Sequence, residues 1–201
     1  MTSAEPITSL QNPRIKRLVK LREARERKKS GLTRIDGARE LLRALQAGVV
    51  PQLVYACEEC LDDEGREAVA RARASKVEIQ PVTRAVYDKI RYGERDDGLC
   101  ATLAWQPATL DELRLGDPAF VLVVEGVEKP GNLGAILRTA DAAGVDAVVL
   151  ADPACEPANP NVIRASMGTL FSQAVAVATT TEVIDWCSAR GLDVVVTRPQ
   201  A

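Results

Sequence analysis

The sequence predicts an α/β fold with a parallel sheet, and three observations predict it. Residues 120–124 are an apolar, β-branched run with no polar side, as a strand covered on both faces is, and residues 145–150 return as a second buried strand. Between them Leu133, Ile136, Leu137, Ala140 and Gly144 recur at helical spacing, which makes a strand, loop, helix, strand unit. From residue 35 to residue 105 helical and strand patterns also alternate, so a smaller α/β domain precedes that unit.

Taken in order, residues 1–9 read as a loose end, and Asn12 and Pro13 open a basic helix that Ser30 and Gly31 close. Asp36 is expected to cap a helix carrying Leu41, Leu42 and Leu45, which Gly48 stops, and residues 53–56 are a short strand. Asp62 or Asp63 opens a helix that runs to Ala74, residues 77–79 are a strand, and Thr83 caps a helix through Ile90. Leu99, Ala101, Leu103 and Trp105 alternate on one face of a further strand. Residues 106–118 carry two prolines and no long apolar period, so they read as a linker.

In the central unit Lys129, Pro130 and Gly131 break the first strand, and Asn132 is expected to cap the helix. A proline-rich loop (Pro153, Pro157, Pro160), a short helix from about Asn161, a strand over 173–178 and a helix over 182–189 follow. Gly191 ends that helix, and residues 194–197 are expected to form a last strand. The chain thus divides into a basic arm (1–34), a small α/β domain (35–106), a linker (107–118) and a second α/β domain (119–201).

Composition narrows the chemistry. The 201 residues are 46% hydrophobic, enough for one good core or two small ones. No run has the apolar length of a membrane span, and the N-terminus lacks the apolar core of a signal peptide, so a cytoplasmic location without a membrane partner is expected. Histidine is absent, which excludes Ser-His-Asp and Cys-His nucleophilic sites and imidazole-ligated zinc. Cys57 and Cys60 form a C-x-x-C pair, but Cys100, Cys155 and Cys187 complete no ligand set, so the thiols read as structural or incidental and no metal is expected.

The net charge of −2 hides an asymmetry, because ten Lys or Arg lie between Gln11 and Arg34 against Glu23 and Glu26. Such a localised excess suits a polyanionic partner, most plausibly nucleic acid, with Arg14, Lys16, Arg17 and Lys20 as the candidate contacts. A solvated helix face packed through Ile15, Leu18 and Leu21 is the other reading. Seven aromatic residues are too few for a platform that stacks many bases, so shape and phosphate contacts should dominate.

Two further cations stand out. At about 100° per residue, Arg138 falls outside the apolar stripe and over Gly134, one turn earlier. Helical side chains lean towards the N-terminus, so its guanidinium is expected to lie along the helix towards Asn132, the two sharing one pocket mouth; an exposed arginine and an ordinary cap are the alternative. Arg164 is the only Lys or Arg between Thr139 and Ala189, and a lone cation there needs a partner, either Asp152, Glu156 or an anionic ligand.

Asn132-Leu133-Gly134, Arg138-Thr139-Ala140 and Gly144, followed by Arg164-Ala165-Ser166 and Gly168, resemble the SpoU (TrmH-like) family of RNA ribose 2′-O-methyltransferases in order and spacing. The resemblance covers nearly the whole chain. It implies a small ribosomal-protein-like α/β substrate-binding domain followed by a Rossmann-like SPOUT (trefoil-knot) domain with a parallel sheet. It also implies S-adenosylmethionine as methyl donor for the complete protein, structured RNA (rRNA or tRNA) as substrate, and a homodimer. Carried across by motif, Asn132 and Arg138 come from the first segment and Arg164 and Ser166 from the second, as catalytic residues. Methyl transfer to a 2′-hydroxyl needs that hydroxyl oriented and its developing charge stabilised; a guanidinium is a poor base, so stabilisation and positioning suit Arg138.

The sequence departs from the family at its end. The glycine- and glutamate-containing loop and the Ser-Leu-Asn segment that follow the last strand in resembling proteins are missing. Cofactor-binding residues are therefore expected beyond Ala201, and the 201-residue chain is expected to be inactive. The alternative is a non-catalytic RNA-binding module. A dinucleotide-binding oxidoreductase is less apt, because Gly131, Gly134 and Asp152 do not reproduce the G-x-G-x-x-G spacing.

Overall fold

The computed structural model describes residues 5–93 and 96–197. Two sheets stand side by side. The first has the order β1-β4-β2-β3, with β1 (Leu32–Asp36) and β2 (Leu53–Ala56) each antiparallel to β4 (Leu99–Ala104), and β3 (Glu78–Pro81) parallel to β2. The second is parallel throughout, in the order β5 (Val121–Glu125), β6 (Ala147–Ala151), β7 (Val175–Ala178).

The basic segment is two helices rather than one, α1 (Pro13–Lys20) and α2 (Ala24–Ser30). Arg27 explains the break: its buried guanidinium donates to the carbonyls of Leu21 and Arg22, at 2.9 and 2.8 Å, and so satisfies backbone that a continuous helix would have used. Of residues 1–9, expected to be a loose end, 1–4 lie outside the described residues, and the rest are tied down, since Ile7 bridges to Val82 just after β3. Asp36 does not cap α3 (Ala38–Gln46). It closes β1, where it pairs with the fully buried Arg34, and Gly37 flanks the helix. Two ionised residues hide this strand in the sequence, because a buried ion pair looks like surface when read by hydropathy alone.

α4 (Asp63–Ala74) is capped by Asp62, and α5 (Arg84–Ile90) follows Thr83. Residues 106–118 are not a free linker: Ala108 bridges to Ala176, and Leu113 is buried against Ala147, Val149 and Trp186 on one face of the second sheet. On the other face the core is continuous with that of the first sheet, with Ile35, Leu41 and Leu103 in one cluster with Leu133, Leu137 and Ile163.

Of the two strands expected to be covered on both faces, only β6 is. β5 is half-buried to exposed, and Phe120 just before it is 56% exposed. The difference follows from position, because β6 is central and β5 lies at an edge. α6 (Pro130–Ala143) makes the crossover. It opens one turn earlier than expected, with Lys129 flanking it, because proline suits the first helical turn; Asn132 therefore lies inside the helix and caps nothing. α7 (Pro160–Ala165) is capped by Asn159, and α8 (Thr180–Ala189) by Thr179 in a reciprocal pair with Glu182.

The last expected strand is not formed. Val194, Val195 and Val196 are 68%, 86% and 72% exposed and pair with no strand among the described residues, and without a ladder an apolar run has nothing to hold it extended.

Candidate functional site

The two cation-bearing segments meet where α6 crosses α7. Gly134 is the contact point: a Cβ there would overlap the Ala165 methyl and lie 2.7 Å from the Ser166 nitrogen. The glycine therefore serves helix–helix approach and does not clear a path for Arg138. Arg138 instead reaches the turn after α7, with Nη1 3.8 Å from the Met167 sulfur, and its side chain is exposed. Asn132 is exposed at the start of α6, and no hydrogen bond joins it to Arg138. Six residues at about 100° each put the two roughly 120° apart around the helix, so the shared pocket mouth is not formed within this chain.

The turn that receives Arg138 is backbone-specific. Met167 and Gly168 have φ of 57° and 82°, in the left-handed region that a non-glycine residue rarely adopts. Gly168 lies against α3, where a Cβ would be 3.1 Å from the Glu40 Cα and 3.2 Å from the Arg43 Cβ. Arg43 in turn lies 3.8 Å from the Asp141 carboxylate on α6, and Arg39 is ion-paired to the buried Glu40 at 2.8 Å. The first sheet's helix thus sets Arg43 against Gly168, in the turn that Arg138 reaches. Sequence reasoning missed Arg43, which sits among the apolar residues of α3 with no motif around it.

Ser166 is fully buried, and its hydroxyl donates to the Ile163 carbonyl at 3.0 Å, while its own carbonyl accepts from the Thr169 hydroxyl at 2.9 Å. It ties the end of α7 to the turn. Arg164 takes neither of the expected acids. Asp152 accepts from the Thr180 N–H at 2.9 Å, and Glu156 is held by Arg27. Arg164 Nη1 donates instead to the Tyr92 carbonyl at 3.0 Å, with its guanidinium 5.9 Å from the ring centre. Arg22 lies 5.3 Å from the centre of the same ring and donates to the Lys89, Ile90 and Arg91 carbonyls at the end of α5. Burial, and then the charge of Arg34, lower Arg22 from its ordinary value.

The basic segment is thus of two kinds. Arg22, Arg27 and Arg34 turn inwards; burial alone would lower Arg34, but the charges of Asp36 and Cys100 override it and raise it. Lys16, Arg17 and Lys20 are exposed and unpaired among the described residues, whereas Arg14 is exposed but paired with Glu78 at 3.1 Å.

At the carboxyl ends of β5–β7, Glu125 accepts from the Thr180 hydroxyl at 3.2 Å, and Asp152 is held below the usual carboxylate range by the Thr180 backbone and hydroxyl. Among the described residues, the buried polar atoms left without a partner on Arg22, Arg39, Gln173 and Trp186 lie away from these strand ends.

Comparison with known proteins places this geometry. Residues 119–201 match the model of the SpoU rRNA methylase family, and residues 12–101 that of an MRM3-like substrate-binding domain. The chain is 32% identical, over 97% of its length and 70% of the relative's, to an uncharacterized tRNA/rRNA methyltransferase of Synechocystis. It is 28% identical, over 94% of its length and 71% of the relative's, to the 23S rRNA (guanosine(2553)-2′-O)-methyltransferase of Bacillus subtilis. Among solved structures it superposes with a TM-score of 0.78 on an RNA 2′-O ribose methyltransferase that is 39% identical, covering 93% of this chain and 70% of that one. It shares its fold, at 24% identity and a TM-score of 0.80, with an AdoMet-bound rRNA methyltransferase of Sinorhizobium meliloti. The chain belongs to the SpoU (TrmH-like) family of RNA ribose 2′-O-methyltransferases, in the SPOUT superfamily.

Proposed function

We propose that this chain carries the RNA-positioning half of a methyl transfer from S-adenosylmethionine to a ribose 2′-hydroxyl of ribosomal or transfer RNA, in a cytoplasmic homodimer. The observation that carries the reading is the α6–α7 crossing at Gly134, which sets Arg138 against Met167, in the turn whose Gly168 lies against Arg43 of α3. Arg138 would stabilise the developing alkoxide or hold the adjoining phosphate; Asn132 would orient the nucleotide from the start of α6. Arg164 and Ser166 act as positioning residues, the first through Tyr92 and the second by holding the end of α7. Residues 35–106 serve RNA binding together with the arm, where Lys16, Arg17 and Lys20, and less so Arg14, track phosphates. Residues 119–201 serve methyl transfer.

S-adenosylmethionine would supply an electrophilic methyl group, and the proposal is that holding it takes residues besides those described. The exposed Lys16, Arg17 and Lys20 would serve equally in a second reading, an RNA-binding module without transfer. Calorimetric titration with S-adenosylmethionine and a radiolabelled methyl-transfer assay on ribosomal RNA separate the two. The proposal expects RNA binding by residues 1–201, no donor binding, and transfer once the chain is joined to the part of the Bacillus relative that it does not cover. RNA binding without transfer by that chimera, when the relative itself is active, would leave the binding-module reading.

A further inference from the structure

Three of the five cysteines, Cys100, Cys155 and Cys187, are buried singly, but Cys57 and Cys60 are not single. β2 ends at Ala56, Cys57 flanks the 3₁₀ turn Glu58–Cys60, and the Cys60 N–H donates to the Cys57 carbonyl at 2.9 Å. The turn folds the two side chains together, with the sulfurs 3.0 Å apart. It is held from behind: the Cys57 N–H donates to the Gly98 carbonyl at 2.8 Å, and a Cβ on Gly98 would lie 2.7 Å from the Cys60 carbonyl carbon. The pair therefore meets without moving the backbone.

The two thiols differ in access. Cys57 is buried, whereas Cys60 is half-buried, with the exposed Arg84 guanidinium 3.4 Å from its sulfur. A cation there opposes a metal ion at the same sulfur. Burial, and then the hydrogen bond with Cys60, push Cys57 up to about 12, so the inner thiol keeps its proton until it reacts. Its S–H faces the Glu59 carboxylate at 3.8 Å, a route for that proton to solvent.

We propose that Cys57 and Cys60 form a reversible dithiol–disulfide site that exchanges with low-molecular-weight disulfides of the glutathione type. The Cys60 thiolate attacks one sulfur of oxidised glutathione, giving a mixed disulfide and one glutathione thiolate, which takes a proton from solvent. Cys57 then attacks the Cys60 sulfur as its proton passes to solvent along Glu59, forming the internal bond and releasing the second glutathione as a thiolate that takes up a proton in turn. Two protein thiols are oxidised and one disulfide is reduced to two thiols. Arg84 keeps its contacts to Asp88 and Asp96, at 3.1 and 2.8 Å, so the surrounding loop loses only the thiolate.

Trypsin would release both cysteines on one peptide, residues 44–66, with Cys100, Cys155 and Cys187 on three others, so mass spectrometry reads the site directly. In glutathione redox buffers the wild-type peptide is expected to lose two hydrogens and to regain them with dithiothreitol. Cys57→Ser should accumulate glutathione on Cys60, and Cys60→Ser should leave Cys57 unmodified. A wild-type pair that stays reduced where Cys57→Ser is glutathionylated would overturn the proposal, and so would zinc that copurifies with the chain and leaves when the thiols are alkylated.

Discussion

Arg27 of the basic segment and Glu156 of the proline-rich loop are ion-paired at 2.7 Å across 129 residues, with the arginine 3% and the glutamate 23% exposed. The pair fastens α2, at the amino-terminal side of the first sheet, to the loop that leads into α7. Arg27→Ala also frees the Leu21 and Arg22 carbonyls, so it should cost roughly 2–4 kcal/mol of unfolding free energy, discounted for the part-exposed acid. Denaturant titration checks this, and a loss no larger than that of Lys28→Ala would show that the pair fastens nothing.

The exposed cations should behave otherwise. Reversing Lys16, Arg17 and Lys20 to Glu should weaken RNA binding and lower the salt slope by about 0.7–0.9 for each phosphate left without its cation, with the circular-dichroism spectrum unchanged. An unchanged slope would return this face to simple solvation.

Gly134→Ala tests the helix crossing. The added methyl meets Ala165 and Ser166, which cannot yield without separating α6 from α7, so a cost of roughly 1–3 kcal/mol is expected from overpacking. Arg138→Ala, on an exposed side chain, should leave the melting temperature within experimental error. In the chimera it should lower the methyl-transfer rate by about a hundredfold, on the scale of removing one oxyanion donor. A rate that tracks only stability across these two variants would remove Arg138 from the chemistry.

The carboxylates of Asp152 and Glu182 are both held below their ordinary range, by Thr180 and Thr179 respectively, through backbone and then side-chain hydrogen bonds. A folded value below the unfolded one means stability that is present above the unfolded value and lost as pH falls towards the folded one. Unfolding midpoints should therefore drop below about pH 4. Asp152→Asn should flatten part of that drop, and equal acid sensitivity in the variant would exclude Asp152 as a contributor.

The parallel unit is legible in the sequence because its strands and its helix have different periods, and both show in the apolar residues. β1 is not, because Arg34 and Asp36 neutralise each other inside the fold and hydropathy treats each as surface. The motif segments can be read from their order, but their partners cannot. Arg164 meets Tyr92, which lies 72 residues earlier, and Arg43 meets the turn after α7 only because Gly168 allows α3 to come close. Gly134 points in the sequence to the wrong neighbour: a one-dimensional pattern shows which residue lies one turn away on the same helix, not which helix crosses there.

The cluster that runs from Ile35 and Leu41 through Leu103 to Leu133, Leu137 and Ile163 belongs to neither sheet alone. The two halves therefore cannot be exchanged as interchangeable cassettes. A recombinant that took its RNA-binding part from a distant relative would have to inherit matching side chains on both sides of the seam. Cleavage of the chain between residues 106 and 118 would expose the seam on each fragment and leave both prone to aggregate rather than to fold apart.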